Sequence, residues 1–363
     1  MSNRSIPIQP LKGRGSATRH PHRFESDARE AWFDAITEQD DPWHVPDLAL
    51  PATQVTTEMA RSVITRNDSP DIGFEQSLNP YRGCEHGCSY CYARPSHSYL
   101  NLSPGLDFET RLVAKVNVAQ RLREELARPG YVPRMIAIGT VTDAYQPIER
   151  EWRLTRQVLE VMRETKHPCA LVTKGSGVLR DLDILSDLAR EGLVAVLVTL
   201  TTLDAEVSRR LEPRAAAPHR RVQMIHALSE AGIPVGVSVA PQIPFVNVDM
   251  EACLQAARSA GATRAFYSIL RLPWELSPLF RQWLDQHYPD RAARVMSCIQ
   301  AMQGGRDYDA RFGVRGRGTG LWADVFKQRF ERACRQLGLN QTTWNLRTNG
   351  FRSPSLDGQT HLF

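Results

Sequence analysis

Three of the seven cysteines of this chain lie close together in the stretch CEHGCSYC, at Cys84, Cys88 and Cys91. Three thiolates on one short loop can converge on a metal centre, because the thiolate is the form of cysteine that binds metals. Gly83 and Gly87 remove side chains from this loop, so its backbone can fold tightly around a bulky group. No fourth cysteine stands nearby, and the stretch therefore predicts a metal centre with an open position.

Two kinds of metal centre fit this spacing. Structural zinc takes four ligands, and His86 or His97 could complete a set of three cysteines and one histidine. Thiolates are the characteristic ligands of iron–sulfur clusters. If three irons of a four-iron cluster are held by the cysteines, the fourth iron is free to bind a substrate or cofactor. The residues favour the iron–sulfur cluster and keep zinc as the alternative.

Short apolar segments alternate with helical patterns through the middle of the chain, and the cysteine stretch directly follows the first segment. Alternation of this kind predicts a parallel sheet with right-handed crossovers, with sites at the carboxyl ends of the strands. Six units are fewer than the eight of a closed barrel, so a partial barrel and an open doubly wound sheet both fit. The strand candidates lie near residues 75, 135, 169, 194, 234 and 264, and the helical patterns follow residues 111 and 150 or begin at 178, 219 and 250.

The composition is that of a globular protein, with 42% hydrophobic and 23% charged residues and a net charge of +5. An apolar run of about 18 residues, which a membrane span needs, is missing from the sequence. The first 30 residues lack the apolar core of a secretory signal, so the cytoplasm is the expected compartment. Basic residues concentrate before Phe24 and between Gly305 and Gln336, which fits either solvated segments or contact with nucleic acid.

The cysteine stretch resembles the C-x3-C-x-aromatic-C signature of the radical S-adenosylmethionine (radical SAM) superfamily. The resemblance implies a [4Fe-4S] cluster on Cys84, Cys88 and Cys91, with the amino and carboxylate groups of S-adenosylmethionine (SAM) on the open iron. One electron would then cleave SAM to methionine and a 5′-deoxyadenosyl radical, which abstracts hydrogen from a substrate. It also implies an α/β fold, a partial (β/α)6 TIM-like barrel with N- and C-terminal extensions.

Further motifs resemble the branch of this superfamily that is related to spore photoproduct lyase, whose members are described as photolyase-like DNA repair enzymes. CSYCYARPSH, GTVTDAYQPIE, LVTKGSGVLRDLDIL, LEPRAAAPHRRV and VAPQIPFVN occur in the order seen in that branch, from about residue 75 to 285. We therefore expect a radical SAM enzyme that acts on nucleic acid, such as a DNA lesion. Modification of a protein or small metabolite is the first alternative, and a non-catalytic, zinc-stabilised nucleic-acid-binding module is the second.

The same resemblance implies which residues contact SAM. Each of them has a simpler structural interpretation as well: Asp143 could shape a turn, and Glu212 could pair with a neighbouring arginine. Cys169, Cys253, Cys298 and Cys334 are scattered and are expected to be small buried residues. The residues expected to bind SAM are Tyr90, Gly139, Thr140, Thr142, Asp143, Lys174, Thr199, Thr201, Glu212 and Arg214.

The sequence ends in QTHLF, which is similar to the Q-x-x-L-F peptide that docks bacterial repair and replication proteins onto the DNA sliding clamp. Gln359, Leu362 and Phe363 match this outline, whereas Thr360 and His361 depart from its usual second and third residues. Two apolar anchors on a flexible tail can fill a pocket of a partner. Family resemblance also implies flavodoxin or ferredoxin as the reductant.

The expected organisation has four parts. A basic, largely irregular extension spans residues 1–60, and the radical SAM core spans 61–290. A helical region spans 291–340, and a flexible tail with the clamp-like peptide spans 341–363. The sequence leaves the substrate open.

Overall fold

The computed structural model describes residues 10–25 and 52–355. Ten strands occur in this part of the chain, and most of them are short. They are β1 (Gln54–Glu58), β2 (Thr65–Arg66), β3 (Gln76–Leu78), β4 (Tyr81–Arg82), β5 (Arg111–Lys115), β6 (Ile136–Ile138), β7 (Cys169–Thr173), β8 (Val194–Thr199), β9 (Val235–Ser238) and β10 (Arg264–Phe266).

The main sheet has the strand order β10-β9-β8-β7-β6-β3-β2. Its six strands from β3 to β10 pair in parallel, and only the edge strand β2 is antiparallel. These six strands coincide with the six predicted segments. The α/β class and the partial barrel of six parallel strands are therefore confirmed.

The helices lie in the intervals between the strands and in the carboxyl-terminal third. Gly232 and Gly261, which follow α7 and α8, have φ values of +71° and +103°, as expected for helix-ending glycines. The eleven α-helices of the described residues are α1 (Asp107–Thr110), α2 (Val118–Leu126), α3 (Glu149–Trp152), α4 (Leu154–Thr165), α5 (Leu182–Arg190), α6 (Ala205–Leu211), α7 (Pro218–Glu230), α8 (Met250–Ser259), α9 (Leu276–His287), α10 (Ala292–Met302) and α11 (Gly320–Leu337).

The predicted helix after residue 111 is wrong in its first half. Residues Arg111–Lys115 form β5, which pairs with β1 and β4 in a separate three-stranded sheet. Within β5, Leu112 and Ala114 are fully buried, whereas Arg111 is exposed and Val113 and Lys115 are half-buried. This two-residue alternation is the pattern of a strand, and it outweighs the helical spacing that continues into α2.

The core lies between the main sheet and its helices. Five of the six residues of β8 are buried, as expected for a central parallel strand that is covered on both faces. The four scattered cysteines are buried, as predicted, at Cys169, Cys253, Cys298 and Cys334. No helix in the described part of the chain has the length and apolarity that a bilayer crossing requires.

The segments at both ends of the described chain pack onto the core. Residues 10–25 form turns without helix or strand, yet they lie against the loop that carries the cysteines. Phe351 packs against Tyr131 and His167, with ring centroids 5.5 Å from each. The predicted clamp-binding residues Gln359, Leu362 and Phe363 lie outside the described residues.

Candidate active site

The cysteine loop follows β4 at the carboxyl end of β3. Cys84 and Cys88 are each 7% exposed, and Cys91 is half-buried. Gly83 and Gly87 have φ values of +75° and +66°, a backbone region that favours glycine. A Cβ on Gly83 would also lie 2.6 Å from Leu112 Cδ2. Both glycines are therefore needed to fold the loop, as the sequence predicts.

The three thiols are a donor set of the kind that holds an iron–sulfur cluster. Burial, together with Asp143 and Cys88, raises the pKa of Cys84, and burial raises the pKa of Cys88 to about 12. Cys84 and Cys88 are therefore neutral thiols without a metal, and loading the site releases their protons. Such coupling is ordinary for thiolate ligands, so the residues fit the implied cluster.

The two histidines considered for a zinc site are engaged elsewhere. His86 Nδ1 lies 3.3 Å from Asp143 Oδ2, and His97 Nε2 lies 2.8 Å from the carbonyl oxygen of Arg111. Across residues 10–25 and 52–355, no three His, Cys, Asp or Glu side chains are grouped as ligands of one metal ion. The cluster makes a different demand, because each cysteine binds a separate iron.

Asp143 organises the turn between the ends of β6 and β7. One of its oxygens accepts hydrogen bonds from Thr173 Oγ1 at 2.7 Å and Tyr145 N at 2.8 Å, and the other accepts from Lys174 N at 2.7 Å. Although burial opposes ionisation, His86, Thr173 and Lys174 hold the pKa of Asp143 well below its usual range. This ionised carboxylate has the turn-shaping role, and its contact with the SAM ammonium stays a prediction.

A second buried carboxylate, Glu212, joins the cysteine loop to the barrel interior. Its Oε1 accepts hydrogen bonds from Tyr90 OH and from Thr201 Oγ1, the latter at 2.6 Å. Its Oε2 lies 2.5 Å from Arg221 Nη2, and both side chains are almost fully buried. Burial raises the pKa of Glu212, but Arg221 and Lys174 outweigh burial and lower it to about 2.

Lys174 brings a cation to the same interior position. Its Nζ lies 5.9 Å from the centre of the Tyr90 ring. Burial lowers the pKa of Lys174, yet Cys88 in its thiolate form, Glu212 and Asp143 reverse this effect and raise it. Lys174 is therefore a charged ammonium beside the cysteine loop, where an anionic ligand group would be attracted to it.

The remaining predicted residues surround this centre. Gly139 has φ +85°, and a Cβ there would lie 2.5 Å from Val172 O, so β6 and β7 approach closely. Thr140 accepts a hydrogen bond from Tyr92 OH at its carbonyl, and Thr142 Oγ1 lies 3.4 Å from Tyr81 O. The other two are Thr199, whose carbonyl accepts from Arg221 Nη1 at 3.2 Å, and Arg214, whose Nη2 lies 3.1 Å from Glu85 Oε1.

Sequence reasoning missed Asn79 and Arg221. Asn79 Oδ1 accepts hydrogen bonds from Val141 N at 2.9 Å and Thr142 N at 3.3 Å, so it holds the turn after β6. Arg221 lies on α7 within the motif LEPRAAAPHRRV, of which only Glu212 and Arg214 were expected to bind SAM. The signal for Arg221 was the apolar periodicity of α7, which places this arginine on the buried face.

A parallel partial barrel with an open three-cysteine loop at the carboxyl end of its first strand defines the class of radical SAM proteins. Residues 78–257 match the family model of the radical SAM superfamily. This chain belongs to the radical SAM superfamily. Members of the superfamily use a [4Fe-4S] cluster and SAM, and membership implies an enzyme.

The similarity to individual proteins covers more of this chain than the family model does. An uncharacterised protein of Mycobacterium tuberculosis is 36% identical over 226 residues, covering 61% of this chain and 66% of that protein. The match thus spans just under two thirds of the mycobacterial relative. An uncharacterised protein of Methanocaldococcus jannaschii is 27% identical, covering 60% of this chain and 78% of that protein.

Solved structures show the same fold. Spore photoproduct lyase complexed with dinucleoside spore photoproduct superimposes with a TM-score of 0.57 at 16% identity, covering 78% of this chain and 80% of that chain. A double mutant of the same enzyme, with bound AdoMet and the dinucleoside, gives a TM-score of 0.57 at 17% identity. At this identity the likeness concerns the fold.

Proposed function

We propose that this protein is a radical SAM enzyme that acts on nucleic acid, with a damaged base as its substrate. Cys84, Cys88 and Cys91 hold the [4Fe-4S] cluster, which supplies the electron for reductive cleavage of SAM when bound. The observation that carries the choice of nucleic acid is a set of exposed aromatic rings and arginines that begins beside Cys91.

The chain's own residues prepare the interior for SAM. The Lys174 ammonium attracts the carboxylate group of SAM, since it lies beside the cysteine loop and stays charged. Glu212 and Arg221 fix Tyr90 from behind through the buried bonds described above. Asp143 keeps the backbone of Lys174 in place, because it accepts the Lys174 N–H at 2.7 Å.

The exposed aromatic residues form two groups with arginine neighbours, Tyr92 with Arg271 and the trio Phe24, Tyr99 and Trp274 with Arg23. Arg271 lies over the ring of Tyr92 at 4.2 Å, and Tyr92 directly follows Cys91. The residues Phe24, Tyr99 and Trp274 are 54%, 69% and 64% exposed.

Arg23 lies at the centre of the second group. Its guanidinium lies 4.7 Å from the Phe24 ring, 5.3 Å from Tyr99 and 4.4 Å from Trp274. Trp274 has φ +47°, which is uncommon for a bulky residue and therefore marks a constrained position. Exposed rings interleaved with cations are the means by which proteins bind unpaired bases. These exposed rings thus suit a base that has left its stack.

The test is anaerobic binding of a fluorescently labelled single-stranded oligonucleotide, measured by anisotropy with and without prior ultraviolet irradiation. Replacing Trp274 or Tyr99 with Ala should weaken binding about five- to hundredfold, since a stacked base contributes about 1–3 kcal/mol. Trp322→Ala is the matched control, because Trp322 is a 38% exposed tryptophan on α11.

Three outcomes would count against nucleic acid as the substrate. They are no oligonucleotide binding by the wild type, equal binding by the Trp274 and Tyr99 variants, and equal weakening by Trp322→Ala. Co-purification with a protein or metabolite whose addition increases the release of 5′-deoxyadenosine from SAM would favour the alternative substrates. Zinc in a colourless, fully active preparation would overturn the radical chemistry itself.

Two partners belong to this proposal. Flavodoxin or ferredoxin is the reductant, and the DNA sliding clamp receives the QTHLF peptide through Gln359, Leu362 and Phe363. Clamp binding should disappear when Leu362 and Phe363 are both replaced with Ala, as measured by surface plasmon resonance on immobilised clamp. Unchanged binding would refute the role of this peptide.

A further inference from the structure

The amino-terminal segment 10–25, here called the strap, touches the backbone of the cysteine loop. A Cβ on Gly15 would lie 1.6 Å from Gly87 O and 2.8 Å from Gly87 C, so this contact admits only glycine. Gly15 does not have a left-handed φ, and the requirement is therefore one of space. Gly87 stands between Cys84 and Cys88, which places the strap directly on the outer side of the loop.

A buried ion pair connects the strap to the loop. Glu109 Oε2 accepts a hydrogen bond from Gly15 N at 3.0 Å, and Glu109 Oε1 lies 2.5 Å from Arg94 Nη2. Arg94 Nε in turn donates to the carbonyl oxygen of Cys88 at 2.9 Å. Glu109 is fully buried and Arg94 is 1% exposed. One continuous chain of hydrogen bonds thus runs from the strap to a cluster cysteine.

The rest of the strap is fixed along its length. Leu106 N donates to Thr18 O at 3.0 Å, and His20 N donates to Ser103 Oγ at 2.6 Å. Ion pairs hold the two exposed arginines, with Arg19 on Asp107 and Arg23 on Glu275, each at 2.8 Å. The strap is therefore held at several points from Gly15 to Arg23.

We propose that the strap and the Arg94–Glu109 pair together position the cysteine loop and shield the cluster from solvent and oxidants. A buried ion pair adds little net stability, because desolvation offsets most of its attraction. What this pair provides is orientation, since Arg94 fixes the Cys88 carbonyl from a side that water does not reach. The inference rests on the proposed cluster at Cys84, Cys88 and Cys91.

The test is the substitution Gly15→Ala, compared with Gly73→Ala, where a Cβ would meet nothing within 4 Å. After anaerobic reconstitution, iron content and 5′-deoxyadenosine release are measured first. Loss of the cluster's visible absorbance in air should then be about fivefold faster for Gly15→Ala, because local opening exposes the loop. Hydrogen exchange of the amides in residues 84–94 should rise in the same variant without metal.

A second variant keeps the test open if Gly15→Ala fails to fold. Arg19→Ala with Arg23→Ala loosens the exposed ends of the strap and leaves the buried pair intact, and it should raise both the exchange and the bleaching rates. Wild-type rates of hydrogen exchange and bleaching in a folded variant would overturn this role of the strap. Absence of a cluster or of 5′-deoxyadenosine in the wild type would instead overturn the proposed function, so the two failures are distinguishable.

Discussion

Two buried glutamate–arginine pairs flank the cysteine loop, one on its inner face and one on its outer face. Glu212 and Arg221 lie 2.5 Å apart on the inner face, and Glu109 and Arg94 lie 2.5 Å apart on the outer face. All four side chains are at most 1% exposed in these pairs. The pairs have almost the same local geometry, yet the two carboxyl groups respond oppositely to their surroundings.

The difference lies in what else each pair contacts. On the inner face burial raises the pKa of Glu212, but Arg221 and Lys174 outweigh burial and bring it to about 2. On the outer face burial prevails and raises the pKa of Glu109, although Arg94 opposes it. Arg94 also serves backbone carbonyls, with Gly105 O at 2.9 Å beside Cys88 O. The inner pair thus belongs to the charged group beside Cys88 where we propose that SAM binds, and the outer pair fastens the backbone.

The largest expected effect concerns the loop that both pairs hold. Cys88→Ala removes a cluster ligand, so anaerobically reconstituted protein should lose most of its iron and all release of 5′-deoxyadenosine with dithionite and SAM. Cys298→Ala is the control, since Cys298 is a buried core cysteine on α10. Retained turnover by Cys88→Ala would show that this residue is not a cluster ligand. The two pairs would then not share the task of holding a cluster loop.

The next largest effect concerns Lys174 on the inner face, whose substitution should change SAM affinity without changing cluster bleaching. Lys174→Met should weaken SAM binding about ten- to hundredfold, because a charge-assisted hydrogen bond contributes about 1.5–3 kcal/mol. Isothermal titration calorimetry on the reconstituted protein measures this loss, with the exposed Lys327→Met as the control. The rate of cluster bleaching in air should stay that of the wild type. Faster bleaching with unchanged SAM affinity would reverse the assignment of the two faces.

The fold and part of the candidate site could be predicted from the sequence. The cluster role proposed for Cys88 follows from residue type and spacing within one loop and stays a prediction, whereas the six parallel strands were predictable from short apolar segments. Arg94 follows the cysteine loop closely, but its partner Glu109 is fifteen positions away in a helix of four residues. Contacts of this kind, and that of Gly15 with Gly87, depend on tertiary packing that no local pattern encodes.

A substitution in the outer pair should have the opposite effect to Lys174→Met, because it should change cluster bleaching more than SAM affinity. Arg94→Lys keeps the charge but loses the planar fork that reaches Cys88 O and Glu109 together. We expect a loss of about 1–3 kcal/mol in the free energy of unfolding, because buried acceptors lose their donors. Denaturant unfolding of the protein measures this loss, and cluster bleaching in air should accelerate. A change in SAM affinity larger than the change in bleaching would show that the outer face also belongs to the ligand pocket.

The smallest effect lies inside the inner face, at the hydroxyl of Tyr90. Tyr90→Phe keeps the ring beside Lys174 and removes one of the hydrogen bonds to Glu212, which Thr201 and Arg221 still hold. The free energy of unfolding should fall by about 0.5–1.5 kcal/mol, and SAM affinity should change less than about threefold. A loss of SAM binding as large as that of Lys174→Met would mean that the hydroxyl itself contacts the ligand. Glu212, which already holds this hydroxyl, would then orient a group that binds the ligand, and the parallel with Glu109 on the outer face would become closer.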